Sequence, residues 1–183
     1  MNIFALSAIA IALVCLSACA TAPRLPPETS GETFLVERDL AGSTVARGEF
    51  RAITGARRGF TAYLNGAWDG QTLTLVEDFV FDDGERDRKT WRLSRVGDGR
   101  YVGTREDVVG QAQGYQDGAA FRLEYDVILP SQNGNGRRVH FRDVMVRTGD
   151  GSVLNRANVG WFGIRVAQVE LTIERPVAAI AAE

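Results

Sequence analysis

With 183 residues and a formal net charge of −2, the chain has room for one domain with a sizeable core, and no overall field draws it to nucleic acid or anionic lipid. Its basic residues are nearly all Arg, with Lys89 the one lysine; this reads as codon bias on a solvated surface, although Arg forks also bind carboxylates and phosphates. The one histidine, His140, excludes a multi-histidine metal site.

The first eighteen residues carry no charged side chain, and Ile3 to Leu16 form an apolar run shorter than the roughly 20 residues needed to span a bilayer. The run closes on Leu16-Ser17-Ala18-Cys19, a pattern similar to a bacterial lipobox, in which small residues fit the signal peptidase and the Cys thiol takes a diacylglycerol. The expectation is a lipoprotein signal peptide over residues 1–18 and lipidation at Cys19. An ordinary signal peptide or uncleaved anchor is the alternative, and the lack of Lys or Arg in the n-region departs from the pattern. Ala20 after the Cys favours the outer membrane over the inner one, facing the periplasm. Cys15 leaves with the leader and Cys19 is used as anchor, so no thiol remains for a disulfide. Residues 19–33, with Pro23, Pro26 and Pro27, read as a polar tether holding the domain off the membrane.

From Gly48 onward the signals are those of strands and tight turns. Asp-Gly or Asn-Gly recurs at Asn65-Gly66, Asp69-Gly70, Asp83-Gly84, Asp98-Gly99, Asp117-Gly118, Asn133-Gly134, Asn135-Gly136 and Asp150-Gly151. Between these turns the residues alternate with a period of two. Leu73, Leu75, Glu77, Phe79 and Phe81 share one face, and Asp83-Gly84 predicts a tight hairpin to a strand with Trp91 and Leu93 inward. Further inward faces are Phe60, Ala62 and Leu64; Phe121, Leu123, Tyr125, Val127 and Leu129; Val139, Phe141 and Met145 around Asp143; Val153, Ala157, Val159 and Trp161 around Asn155; and Ala167, Val169, Leu171 and Ile173. No window sustains a helical period with caps. Eight to ten strands in a meander must close or protect two edges. The fold class is therefore all-β: an antiparallel up-and-down β-barrel over residues 34–175, lipocalin-like, closed by Ala167–Ile173 pairing with Gly48–Ile53. A two-sheet sandwich is the alternative, and residues 176–183 form a flexible tail.

Several motifs together resemble one family. Phe81-Asp82-Asp83-Gly84-Glu85 with Trp91 downstream, Gly110-Gln111-Ala112-Gln113-Gly114, and Asn155-Arg156-Ala157 with Phe162-Gly163 are similar to domain-of-unknown-function family 3833, small proteobacterial lipoproteins. The resemblance spans roughly Phe34 to Arg175. It implies a calycin-type barrel, no assigned activity, and, through neighbouring genes for membrane fatty-acid modification, a link to lipid. The family's second acidic residue near Asp143 is replaced here by Arg142-Asp143-Val144, which weakens a paired-acid role there.

The acids Asp82, Asp83, Glu85 and Asp87 lack the spacing of a calcium loop and read as a solvated hairpin tip. His140 shares the polar face with Arg142, no serine sits in a nucleophile elbow, and Gly110–Gly114 lacks a following helix to cradle phosphate. No metal, cofactor or catalytic residue is indicated. Glu77, Asp143 and Asn155 sit on otherwise apolar faces, where they either satisfy neighbours such as Arg105 and Arg156 or form the polar end of an amphiphile pocket. Trp68, Trp91 and Trp161 are core or cavity lining. The ligand-contacting set on the pocket reading is Glu77, Trp91, Tyr125, Asp143, Asn155, Arg156 and Trp161. Three functions compete. The first is a membrane-anchored, monomeric lipoprotein binding or transferring a lipid, fatty-acyl or other hydrophobic ligand. The second is a structural envelope protein with a packed barrel. The third is a hydrolase using Glu77 and Asp143.

Overall fold

Alternating apolar and polar side chains put one wet and one greasy face on each extended segment, and ten such segments bury the greasy face by curling into a ring. The structure is a computed structural model that describes residues 22–129 and 136–176. Residues 1–21, with the expected leader and Cys19, residues 130–135, with the expected turns at Asn133-Gly134 and Asn135-Gly136, and residues 177–183 lie outside the described residues. In chain order the elements are α1 (Val36–Asp39), β1 (Gly42–Ala52), β2 (Arg57–Trp68), β3 (Thr72–Phe81), β4 (Arg86–Gly97), β5 (Arg100–Thr104), β6 (Ala112–Asp117), β7 (Ala120–Leu129), β8 (Arg137–Arg147), β9 (Val153–Trp161) and β10 (Ile164–Glu174). Each strand pairs antiparallel with the next, and β10 returns to β1, so the sheet is a closed up-and-down barrel and not a sandwich. The closing register sets Gly48 opposite Leu171 and Ala52 opposite Ala167.

The expected inner faces are the observed ones, except that Trp161 ends at the open rim. The predicted turn at Asp83-Gly84 differs in detail. Of the two residues only Gly84 has positive φ (85°), and Phe81 and Glu85 bracket the loop, the Phe81 N–H donating to the Glu85 carbonyl at 2.9 Å. The loop is thus Asp82-Asp83-Gly84, a three-residue turn whose left-handed position falls on glycine, sparing Asp83 that conformation. A two-residue turn with two left-handed residues does occur elsewhere, at Phe162 (φ 47°) and Gly163 (φ 77°) between β9 and β10.

The barrel is plugged at one end. The segment before β1 turns inward, and Phe34, Val36 and Leu40 are buried against Leu73, Leu93, Tyr101 and Phe121. The four-residue helix α1 is too short to stand on propensity. It is held by Asp39, whose buried carboxylate accepts from the Leu35 N–H (2.8 Å), Arg38 Nε (2.9 Å) and Arg147 Nη1 (2.6 Å). Glu37 adds a second clamp, pairing with Arg95 and accepting from the Tyr101 hydroxyl at 2.9 Å.

The Pro-rich segment expected to be a free tether is, from Ala22 on, a strap along the outer wall. Thr29 bridges to Thr148 and the Ser30 N–H donates to the Arg147 carbonyl (2.8 Å). Glu28 pairs with Arg156 (3.3 Å), Arg122 donates to the Pro23 carbonyl (3.0 Å), and Pro26 is fully buried. The reason lies in β8 and β9. Their outward residues Val144, Val146 and Leu154 form an apolar cluster with Ala120, and the strap takes them out of water.

Gly66 passes directly beneath Leu40, so a methyl there would be driven into the Leu40 carbonyl, whereas Gly97 faces open space. Gly66→Ala should lower stability by about 1–3 kcal/mol through overpacking of the plug. Gly97→Ala should stay within about 0.5 kcal/mol of the parent. Urea midpoints of the two variants provide the comparison.

Candidate functional site

Packing is complete only in the plugged half. Along β3 the inward residues Leu73 and Leu75 are buried, while Glu77, Phe79 and Phe81 further along the same face remain accessible from inside. The space they border is a cavity of about 420 Å³. Its upper wall is aromatic and aliphatic: Phe50, Phe60, Phe79, Phe81, Leu129 and Phe141. Phe60 meets Phe79 edge-on at 5.6 Å and Phe79 stacks with Phe81 at 6.0 Å. At the mouth the Arg58 guanidinium lies 3.7 Å above the Phe81 ring and pairs with Asp83 (2.8 Å) and Glu85 (2.5 Å). The acidic hairpin tip is therefore an ion-paired rim.

Glu77, Arg105, Tyr125, Asp143 and Asn155 come together as a polar band within this apolar pit, beside Trp91. Arg105 is placed by a local substitution in the wall. β5 and β6 are short, and the loop after β5 fills the gap by pairing with β7, with Val108 bridging Val127, the Val109 N–H donating to the Asp126 carbonyl (2.8 Å) and the Ile128 N–H donating to the Asp107 carbonyl (3.3 Å). That pinning sets the Arg105 guanidinium 4.7 Å from the Trp91 ring centre and 5.4 Å from that of Tyr125. Trp91 and Tyr125 meet edge-on at 5.0 Å, and Tyr125 stacks on Phe141 at 5.1 Å.

The cations near Glu77 are used elsewhere. Arg105 turns its fork to Asp107 (2.7 and 3.3 Å), leaving 3.9 Å to Glu77, too long for a hydrogen bond. Lys89, directly across the ladder from Glu77, contacts Asp87 (3.0 Å) and Asp107 (3.6 Å) instead. Glu77 is enclosed by protein on all sides, and the 15 % of its side chain that stays accessible faces the cavity. Burial therefore dominates and pushes its carboxyl up to about 7, with Arg105 opposing and Asp107 adding to the rise. Asp143 behaves alike. Burial raises it to about 7 against the amide of Asn155, the charge of Arg105 and a long 3.4 Å hydrogen bond from the Tyr125 hydroxyl. Burial, with Asp143 next to it, also lifts Tyr125 well above its ordinary value. One oxygen each of Glu77, Asp143 and Asn155 is buried without a hydrogen-bond partner. Burial thus favours the protonated form of both acids below about pH 7.

Five of the seven expected contact residues, Glu77, Trp91, Tyr125, Asp143 and Asn155, line this one cavity. Two do not. Arg156 is on the outer face by strand parity, paired with Glu170 (2.5 Å) and Glu28. Trp161 ends β9 at the open rim, half in water and under the Arg137 guanidinium at 4.6 Å. Arg105 and Asp107 are the functional residues that sequence reasoning left out of the set. They sit in a loop, where no alternation assigns a face. His140 is on the outer face as expected, but half-buried, its Nδ1 2.8 Å from Asp126.

Residues 13–175 match the profile of the family described as protein of unknown function, DUF3833. The chain belongs to that family. Among solved structures, this DUF3833 protein is similar to the S-type phycobiliprotein lyase CPES from Guillardia theta, with a TM-score of 0.55 over 75 % of this chain and 89 % of that one. At 9 % identity the likeness is one of fold, a lipocalin-like barrel. No curated protein matches the chain in sequence.

The two raised acids make a signed pH prediction. Unfolded, Glu77 and Asp143 lose their protons near 4.5 and 3.8; folded, near 7. The folded state holds more protons across that window, so their contribution is full below it and is lost as pH rises to about 7. Asp39 works the other way. Burial raises its carboxyl, but Arg38, the Leu35 N–H and Arg147 outweigh that and hold it low, so its contribution is lost on acidification. The difference between variants separates the two. Glu77→Gln should match the parent near pH 4 and exceed it by about 2–3 kcal/mol near pH 8. Asp107→Asn, which frees Arg105 and Lys89 for Glu77, should shrink the parent's loss over the same window. Urea titrations at both pH values read the effect.

Proposed function

We propose that this DUF3833 protein is a lipoprotein of the cell envelope, anchored through Cys19, whose barrel binds or hands over a lipid or similar amphiphile. The observation that carries the reading is the half-filled lumen. A cavity of about 420 Å³, walled by aromatic and aliphatic side chains and carrying one convergent polar cluster, lies in the size class of ligand pockets, roughly 300–1,000 Å³. A barrel serving only as scaffold has no use for unpartnered carboxyl and amide oxygens beside an unfilled volume, since each buried polar atom left alone costs about 1–3 kcal/mol.

The polar band also favours one kind of head group. Glu77, Asp143 and Asn155 offer acceptor oxygens, and the two carboxyls repel a further negative charge once ionised. Above about pH 7, where both carboxyls are ionised, an acyl chain ending in an alcohol, amide or amine suits this environment better than a free fatty-acid carboxylate. The fold shared with a phycobiliprotein lyase is compatible with a ligand-holding interior. Anchorage in the outer membrane facing the periplasm rests on the lipobox-like Leu16–Cys19 and on Ala20.

Two experiments test the two halves of the reading. Radiolabelled palmitate should enter the wild-type protein and not Cys19→Ser, and that variant should leave the membrane fraction; label retained in Cys19→Ser rules out the anchor. Native mass spectrometry of protein purified without detergent should show one bound amphiphile. Long-chain alcohol and amine probes should bind about tenfold or more tightly than the matching carboxylate near pH 8, and Asp143→Asn should narrow that gap. Failure of every probe to bind would leave the packed-scaffold reading in its place.

A further inference from the structure

One stretch of the open rim of the barrel carries exposed apolar side chains among arginines. At the turns joining β1 to β2 and β9 to β10, Ile53, Trp161, Phe162 and Ile164 are 66, 39, 87 and 56 % exposed, and the Ile53 N–H bonds to the Val166 carbonyl, so the two turns adjoin. Phe162 is the one described non-glycine residue with positive φ. A two-residue turn of this type favours Asn-Gly, and a bulky residue in the left-handed region stores roughly 1–2 kcal/mol of strain. Here the strained position holds an aromatic ring that meets the Trp161 ring at 5.0 Å and is largely exposed to water. Neither folding nor the lumen accounts for it.

Charge and chain direction say what the rim meets. Arg57, Arg137 and Arg165 are exposed around these side chains, and among the described residues neither Arg137 nor Arg165 has a carboxylate partner. Acids border this part of the rim on both sides but are paired: Asp83 and Glu85 of the β3–β4 turn, next along the ring from the β1–β2 turn, hold Arg58, and Asp126 holds Arg138. The strap climbs the same side as the apolar rim. From Thr29 and Ser30 beside the plugged end it runs up the outer wall of β7–β9, and Ala22 to Pro27 border a groove reaching Arg51, Arg165 and Gln168 toward the open end. Three residues, Cys19 to Thr21, precede Ala22 and span at most about 10 Å.

We propose that the Ile53/Trp161/Phe162/Ile164 rim is a membrane-docking surface that sets the open mouth of the barrel against an anionic bilayer. Aromatic and branched apolar tips enter the boundary between head groups and acyl chains, Arg137 and Arg165 meet lipid phosphates, and Arg58 offsets the acids of the neighbouring β3–β4 turn. The lumen then opens toward the bilayer, a direct route for an amphiphile. The docking does not require Cys19 to be acylated; an acylated Cys19 would tether the chain on this same side.

The test uses the chain from Ala22, which contains every described element, and vesicles of phosphatidylcholine with and without phosphatidylglycerol. The protein should sediment with the mixed vesicles, less so at high salt, and the Trp161 emission should shift to the blue. Phe162→Asn is the decisive variant because Asn accepts the left-handed conformation. It should melt at the parent temperature or above and bind the mixed vesicles about tenfold or more weakly. Equal sedimentation of parent and Phe162→Asn, or none by the parent, overturns the proposal. A concentration-dependent dimer that Phe162→Asn abolishes, without vesicle binding, would instead assign the rim to a second copy of the chain.

Discussion

Eight consecutive residue pairs between β1 and β10, from Val45 opposite Glu174 to Ala52 opposite Ala167, join the first strand of the sheet to the last. Every other feature depends on that seam. Without it the sheet has two open edges, and the inner face that carries Phe60, Phe79, Tyr125 and Phe141 has nothing to face. With it the inner faces converge on one lumen, and carboxyls more than sixty residues apart in sequence, Glu77 and Asp143, come to feel each other's charge. The ring offers no other way of bringing these strands face to face, since β3 and β8 are neighbours of neither seam nor each other.

Closure makes a tube; the segment before β1 makes it a pit. Phe34, Val36 and Leu40 fill one end, and Asp39 fixes the helix that presents them. The result is a packing gradient along the axis, from a filled half of Leu73, Leu93, Tyr101 and Phe121 to a hollow half of aromatic walls. Polar groups sit where the two halves meet. There Asp107 has a disproportionate effect. By taking the fork of Arg105 and the amine of Lys89, it leaves Glu77 buried beside two cations that do not neutralise it. A buried carboxyl without a hydrogen-bonded counter-charge protonates, and this keeps the lumen close to electrically neutral despite its acids.

The same asymmetry orders the outside. The strap is held because β8 and β9 turn Val144, Val146 and Leu154 outward, so the wall there needs a cover that the ring itself cannot supply. The cover leads from the plug toward the mouth, and on that side the rim is aromatic and basic. Strap, plug and mouth are therefore linked through one apolar patch on the outer wall, a relation that no single strand contains.

Much of this was legible in the sequence. Strict two-residue alternation fixes which side chains share a face, because successive residues of a strand must point to opposite sides, and so Glu77, Trp91, Tyr125, Asp143 and Asn155 were placed inside correctly. The same rule, applied to Arg156, puts it outside, which is where it pairs with Glu170. A meander with no edge protection implied closure. What alternation cannot give is depth along the axis, which is set by strand tilt and by what fills each end. Trp161 has inward parity yet ends at the rim, because β9 runs out of barrel there. Nor does alternation reach loops and the strap, so Arg105, Asp107 and the cover over Val144 took their places only through tertiary pairing with β7 and β8. Sequence by itself determined the strands, their faces and the need for a ring. The tertiary structure decided which end is plugged, how much of the interior stays empty, and which buried charges find partners. Those depend on distances between residues far apart in the chain, and no local periodicity encodes them.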